Sequence, residues 1–163
     1  LRRSSAASDV YKRQVILILD QVTDPQNIGS IMRSCALFDC AGIIVGKDNS
    51  PELTSSLYKS ASGAAEIVNY IRVTNIRRAI SFLKKNKYWI YGFDSSKINN
   101  AKLNFSQKSV LVFGSEGKGI RELVKKECDE IMQIDMKNNL RFEIDSLNVS
   151  NATSIALYQF YST

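Results

Sequence analysis

Short apolar runs rich in β-branched residues alternate along the chain with longer stretches in which apolar positions recur at helical spacing. That alternation is the signature of an α/β domain on a mostly parallel sheet, because parallel strands are joined by crossovers whose helices cover them. The pattern predicts a six-stranded sheet, with strands near 15–20, 42–46, 67–73, 88–93, 109–113 and 130–134. Helices fit between and after them, near 27–39, 52–60, 75–86, 118–127 and 147–161. The Ser-, Asn- and Lys-rich segment 94–108 reads as a surface loop, and no internal repeat is visible.

Composition changes this picture at one end. Residues 4–14 read like the in-frame translation of an adapter used in sequencing libraries, so 1–14 is expected to be non-native and 15–163 to form one domain. An upstream portion of the natural protein is expected to be missing. Setting aside 1–14, with Arg2, Arg3, Lys12, Arg13 and Asp9, leaves 18 Lys+Arg against 15 Asp+Glu, or +3. That balance suits a polyanion such as RNA without pointing to it, because the charges are dispersed.

No apolar run is long enough to cross a bilayer, and a soluble cytoplasmic protein is expected. The three cysteines, Cys35, Cys40 and Cys128, lack metal-ligand spacing and read as buried thiols in a reducing compartment. The chain has no histidine, which excludes Ser-His and Cys-His nucleophile systems and argues against a zinc site.

Three polar motifs interrupt the apolar pattern. The first, 20–34, leaves a strand through Asp24 and Pro25 and enters a helix carrying Asn27, Gly29 and Arg33. Its polar residues fall at the carboxyl edge of the sheet, where α/β proteins place ligands. Gly29 and Arg33 share a helix face, so the glycine is expected to leave open space beside the guanidinium. The plainer alternative is that Asn27 caps the helix and Arg33 makes a surface ion pair.

The second motif runs from a buried strand into Gly114-Ser115-Glu116-Gly117-Lys118-Gly119. Its glycines permit close backbone approach or positive φ, although an ordinary strand-to-helix turn would also use them. It fits neither a phosphate loop nor the dinucleotide fingerprint, which removes a nucleotide-binding switch from consideration. The third motif, Ser146-Leu147-Asn148-Val149-Ser150, precedes an apolar helix. Ser146 is expected to cap that helix, but capping alone would not require Asn148 as well.

Together the motifs resemble those of the SpoU, or TrmH-like, family of knotted SPOUT methyltransferases, over essentially 15–163. Asn27, Gly29 and Arg33 match the family's Asn-x-Gly-x-x-x-Arg pattern, 113–119 its glycine loop and 146–150 its Ser-Leu-Asn-Val-Ser pattern. Asp24-Pro25 and the segment 59–66 look most like the branch that methylates a guanosine ribose of 23S ribosomal RNA. A transfer-RNA 2′-O-methyltransferase, or a catalytically silent RNA-binding or ribosome assembly factor, stays open.

The resemblance implies a deep C-terminal trefoil knot, an exception to the rule that chains do not thread their own loops. It also implies S-adenosyl-L-methionine held at Gly114, Gly117, Gly119, Ile134, Met136 and Leu147, with catalytic residues Arg33, Asn27, Glu116, Ser146 and Asn148. No metal is implied, because the leaving group becomes a neutral thioether. The family is homodimeric through the knot helices, with Arg33 acting across the interface. Two features depart from the family pattern: Asp135 stands where a proline is usual, and 137–145 makes a longer, charged connection.

For a 2′-hydroxyl attacking a methyl sulfonium, alignment of the oxygen with the carbon–sulfur axis supplies much of the rate. An arginine is a poor base, since its pKa of about 12.5 to 13.8 leaves almost no neutral form at pH 7. Arg33 is therefore expected to grip the adjacent phosphate and polarise the hydroxyl, with the proton passing to water or phosphate. A neutral Arg33 acting as base in a desolvated site is the rival. Asn27 and Glu116 would orient Arg33 and the ribose, and Ser146 and Asn148 would hold loop and substrate. The cluster Lys84, Lys85 and Lys87 reads as a solvated helix end.

Overall fold

The computed structural model describes residues 13–95, 104–136 and 146–162. The connection 137–145, residues 1–12 and the middle of the expected 94–108 loop lie outside them. In chain order the elements begin with β1 (Gln14–Asp20), α1 (Pro25–Leu37), β2 (Gly42–Gly46) and α2 (Ser55–Ala61). After a 3-10 turn at Ala64–Glu66 come β3 (Tyr70–Val73), α3 (Ile76–Lys85), β4 (Trp89–Phe93) and β5 (Lys108–Gly114). The remainder is α4 (Glu122–Lys125), β6 (Glu130–Met132) and α5 (Val149–Ser162).

The strands form one six-stranded sheet in the order β3-β2-β1-β5-β4-β6, and every pairing is parallel. Side chains alternate between the two faces of a strand, and β1 and β5 show it directly. Val15, Leu17 and Leu19 join Leu111 and Phe113 in one core, which Ile28, Ile31 and Met32 of α1, Leu57 of α2 and Leu157 of α5 cover. Ile18 joins Val110 and Val112 in a second core on the opposite face, under Ile76, Ile80 and Leu83 of α3 and Val124 of α4. Both faces are covered, which is why these strands read as continuous apolar runs.

The start of α1 is written in three residues. Asp24 accepts a bond from the Gln26 amide at 2.9 Å, and Pro25 takes the first turn, where its missing N–H is no loss. The helix ends at Phe38, and Asp39 turns the chain away with φ 53°. Asn27 therefore sits inside the first turn and is not the cap.

Four expectations need correction. The space expected beside Gly29 is filled: a Cβ there would lie 1.9 Å from Ser60 Oγ and 2.8 Å from the Ala61 amide nitrogen. The glycine lets α1 and α2 approach closely, with Ser60 donating to the Pro25 carbonyl at 3.0 Å. The expected helix 118–127 shrinks to α4, because the glycine loop folds back on itself before the helix begins. Phe105, in the segment read as surface loop, is buried in the first core, edge-on to Tyr91 and Phe160. Of the cysteines only Cys35 is fully buried; Cys40 and Cys128 are partly exposed, and burial still pushes the Cys128 thiol up to about 12.

Lys84 pairs with Asp129 at 2.8 Å, while Lys85 and Lys87 are exposed. Among the described residues no helix is long and apolar enough to cross a membrane.

Overpacking a tight helix contact strains backbone on both sides. Gly29→Ala is expected to lower stability by about 1–3 kcal/mol. A denaturant titration would show this as a lower midpoint with an unchanged slope.

Candidate active site

In an open parallel sheet, ligands bind outside the carboxyl ends of the strands where the strand order reverses. Here the chain moves from β1 outward to β2 and β3, then returns to place β5 on the other side of β1. The crevice therefore opens between the ends of β1 and β5, where Asp20 is in register with Gly114.

The loop leaving β5 closes on itself. Ser115 and Gly119 form an antiparallel bridge, with the Gly119 amide donating to the Ser115 carbonyl at 2.9 Å. Gly117 and Gly119 have φ of 81° and 66°, a region that favours glycine. Gly114 has a different reason: a Cβ there would lie 1.9 Å from the Gly119 carbonyl carbon and 2.1 Å from the Ile120 nitrogen. The returning backbone lies directly over it.

Three segments meet at the rim of this loop. Asn148 Nδ2 donates to Glu116 Oε1 at 2.6 Å and to Asn27 Oδ1 at 3.0 Å. Asn27 Nδ2 donates in turn to Glu116 Oε1 at 3.3 Å. The same Glu116 oxygen lies 3.4 Å from the Val149 amide, at the positive end of α5. Asn148 Oδ1 accepts from the Ser150 amide at 2.9 Å and from its hydroxyl at 2.6 Å. Its carbonyl accepts from the Ala152 amide. Asn148, and not Ser146, therefore caps α5, which begins two residues later than expected.

Beside the rim lies a cavity of about 350 Å³. The glycine loop forms one wall, with Gly114, Glu116, Gly117 and Gly119. Ile134 and Met136, just beyond β6, and Ser146 and Leu147, just before α5, also line the cavity. Phe93 and Phe113, stacked with centroids 4.8 Å apart, contribute an apolar surface. Asp94 and Lys125 form an ion pair on the cavity wall, and that carboxylate holds the Lys125 ammonium pKa above its ordinary value. Gln133 Nε2 donates to the Ser95 carbonyl at 3.1 Å, fixing another part of the lining.

The six residues expected to contact a cofactor thus line one cavity, together with Glu116 and Ser146. Asn27 and Asn148 join Glu116 at its rim. Arg33 does not join them. It is exposed on α1 and makes no ion pair among the described residues. Six helical positions separate it from Asn27, or about 9 Å along the axis and 120° around it.

Sequence reasoning passed over the Asp94–Lys125 pair and, above all, Asp20. A carboxylate ending a buried apolar strand at the ligand-binding edge was a usable signal for Asp20.

Comparison with known proteins places this geometry. The model of the SpoU rRNA Methylase family matches residues 14–158. The 23S rRNA (guanosine-2′-O-)-methyltransferase RlmB of Coxiella burnetii is 39% identical over 163 residues, covering 98% of this chain and 64% of that protein. The protein of the same name from Salmonella typhi is 38% identical over 151 residues, covering 92% and 60%. The chain thus spans about three fifths of the length of these relatives.

Among solved structures, the SpoU methyltransferase AviRb of Streptomyces viridochromogenes with AdoMet superposes with a TM-score of 0.80 at 23% identity, covering 93% of this chain and 58% of that one. The A. aeolicus TrmH/SpoU tRNA modifying enzyme gives 0.79 at 22%, covering 94% and 78%. At these identities the likeness speaks for the fold.

Replacing Asn148 separates its two functions. Asn148→Asp keeps the cap but sets a second carboxylate against Glu116, whereas Asn148→Ala removes both. The alanine variant is expected to lose about 1–2 kcal/mol of stability. The aspartate variant keeps that cap and adds like-charge repulsion, so its deficit in thermal unfolding is expected to shrink as salt is raised, whereas the alanine deficit is expected to stay.

Proposed function

The chain belongs to the SpoU rRNA Methylase family, and from that membership we propose that it transfers a methyl group from S-adenosyl-L-methionine to a ribose 2′-hydroxyl of RNA. A guanosine of 23S ribosomal RNA is the preferred target, after the relatives that cover most of this chain. The observation that carries the reading is the meeting of Asn27, Glu116 and Asn148 at the mouth of a cavity walled by the glycine loop. The reaction takes place in the cytoplasm, where its RNA substrate is found.

The cavity fits such a cofactor in kind. Its loop wall has no room for a Cβ at Gly114 and exposes main chain at Gly117 and Gly119, while Ile134, Leu147 and Met136 supply apolar cover. Those residues would hold the cofactor by backbone groups and apolar contact. When bound, it supplies an electrophilic methyl whose departure leaves a neutral thioether. Everything else falls to the chain. Glu116 Oε1 is occupied by three donors, so Oε2 is the atom placed to accept from the ribose. Asn27 and Asn148 hold that carboxylate in one orientation, and Ser146, on the cavity wall, helps position the loop and the sugar. Arg33 acts as a cation that grips the neighbouring phosphate and polarises the hydroxyl, with the proton leaving to water or phosphate.

Arg33 stands too far from this cluster within one chain, so the proposal includes a homodimer in which α1 of the partner completes the site. The helix pair offers a surface for it. Phe38 meets Tyr158 and Tyr161 edge-on or tilted where α1 packs on α5, and Leu37, Tyr158 and Tyr161 are largely exposed beside it. The deep C-terminal trefoil knot of the family is part of the same proposal.

Two measurements test the reading. Calorimetry is expected to show stoichiometric binding of S-adenosyl-L-methionine, and ribose-methylation mapping after gene deletion is expected to lose a guanosine signal in 23S RNA. No binding would remove the enzyme reading and favour a silent RNA-binding protein; a lost signal in transfer RNA would move the substrate. For the shared site, mixing Arg33→Ala and Asn148→Ala protomers is expected to restore about a quarter of wild-type activity, since half the dimers then carry one intact site. A mixture as inactive as its components would place Arg33 in its own chain's site.

A further inference from the structure

Asp20 has no part in the chemistry above, yet among the described residues it is the only Asp or Glu that is fully buried, with 0% exposure. A buried carboxylate without partners is strongly destabilising, so its donors must be well placed. Among the described residues its donors all come from one residue. The Arg121 amide donates to Oδ2 at 2.9 Å, and its Nε and Nη2 approach Oδ1 at 2.9 and 2.7 Å. Main chain and side chain of Arg121 are therefore held together.

The position of this tie gives it meaning. Asp20 is in register with Gly114, where the glycine loop leaves the sheet, and it grips Arg121, where the loop ends. One carboxylate thus fixes both feet of the loop. Ile120, 3% exposed, plugs into the core on the α3 face just before the second foot. The next residue after Asp20, Gln21, has φ 64°, a left-handed conformation that costs a non-glycine residue free energy and persists only where its surroundings enforce it. Within the loop, the Ser115–Gly119 bridge and the bonds to Glu116 hold the tip, and the tie at Asp20 fixes where that closed loop stands on the sheet.

We infer that Asp20 is a positioning residue for the cofactor: with Arg121 as its tie, it sets the backbone of the glycine loop before S-adenosyl-L-methionine arrives. This rests on the proposed function for the identity of the ligand, but the pre-shaped loop does not. An ordered loop binds more tightly because less conformational freedom is lost on binding.

Asp20→Asn keeps size and shape but weakens the bonds to the guanidinium. In the full chain without cofactor, the amides of Gly119 and Ile120 are expected to exchange hydrogen about tenfold faster, the scale of one charge-assisted bond. The dissociation constant for S-adenosyl-L-methionine is expected to rise by a similar factor. Turnover at saturating cofactor should change much less. Arg121→Lys, which keeps the main-chain bond and a cation, should fall between wild type and Arg121→Ala. Val15→Ala, a buried change at the opposite end of β1 from Asp20, serves as a control for general destabilisation.

Unchanged exchange and affinity in folded Asp20→Asn would overturn the inference, as would an equal rise in the dissociation constant for Val15→Ala at matched stability. Should Asp20→Asn fail to fold, the Arg121 pair reads the same tie from its other end. Should the wild-type chain bind no S-adenosyl-L-methionine, the proposed function fails, and the exchange experiment still decides whether Asp20 shapes the loop.

Discussion

A parallel sheet has a direction: every strand delivers its carboxyl end to the same edge, and the order of strands decides which ends become neighbours. Placing β5 beside β1 brings position 114 against position 20, although nearly a hundred residues separate them. The glycine loop, the turn into α1 and the approach to α5 all depend on that adjacency. Magnitudes show which part governs which. Each fully buried Leu or Ile in the two cores contributes about 1.5–3 kcal/mol, whereas a typical hydrogen bond at the rim contributes about 1 kcal/mol. The sheet can therefore position the polar cluster, but the cluster could not have positioned the sheet.

At the rim, stability and chemistry use the same atoms. The N-terminus of α5 leaves amides in need of acceptors, and Asn148 and Glu116 supply them while also binding each other and Asn27. The negative charge of Glu116 is compensated by a helix end and two carboxamides, and among the described residues it has no cationic partner. A site made this way is rigid before any ligand is present, at the cost that its residues cannot be exchanged freely.

Much of this was legible in the amino-acid order. The six strands and the two long helices α1 and α5 followed from runs of 15–19 or 109–113 type and from apolar spacing, since burial on both faces leaves little freedom in composition. The motifs named the loop and the two asparagines. What escaped was whatever depended on a partner remote in sequence. Helical spacing put Gly29 and Arg33 on one face but could not tell that Ser60 stood opposite the glycine. Ser146 looked like a cap because serine often is one, but the cap belongs to the residue next to the first turn, and that was fixed by where Glu116 could reach. The bond from Asp20 to Arg121 spans 101 residues and has no spacing to betray it. Arg33 raises the same difficulty one level up, because its place relative to the cluster is a matter of which chains come together.

The sheet's two outer strands, β3 and β6, are four and three residues long. Such short borders expose too few unpaired main-chain groups to template another strand, so the sheet resists lateral accretion and fibre-like growth. Self-association is thereby channelled to side-chain surfaces, where shape can discriminate one neighbour from another.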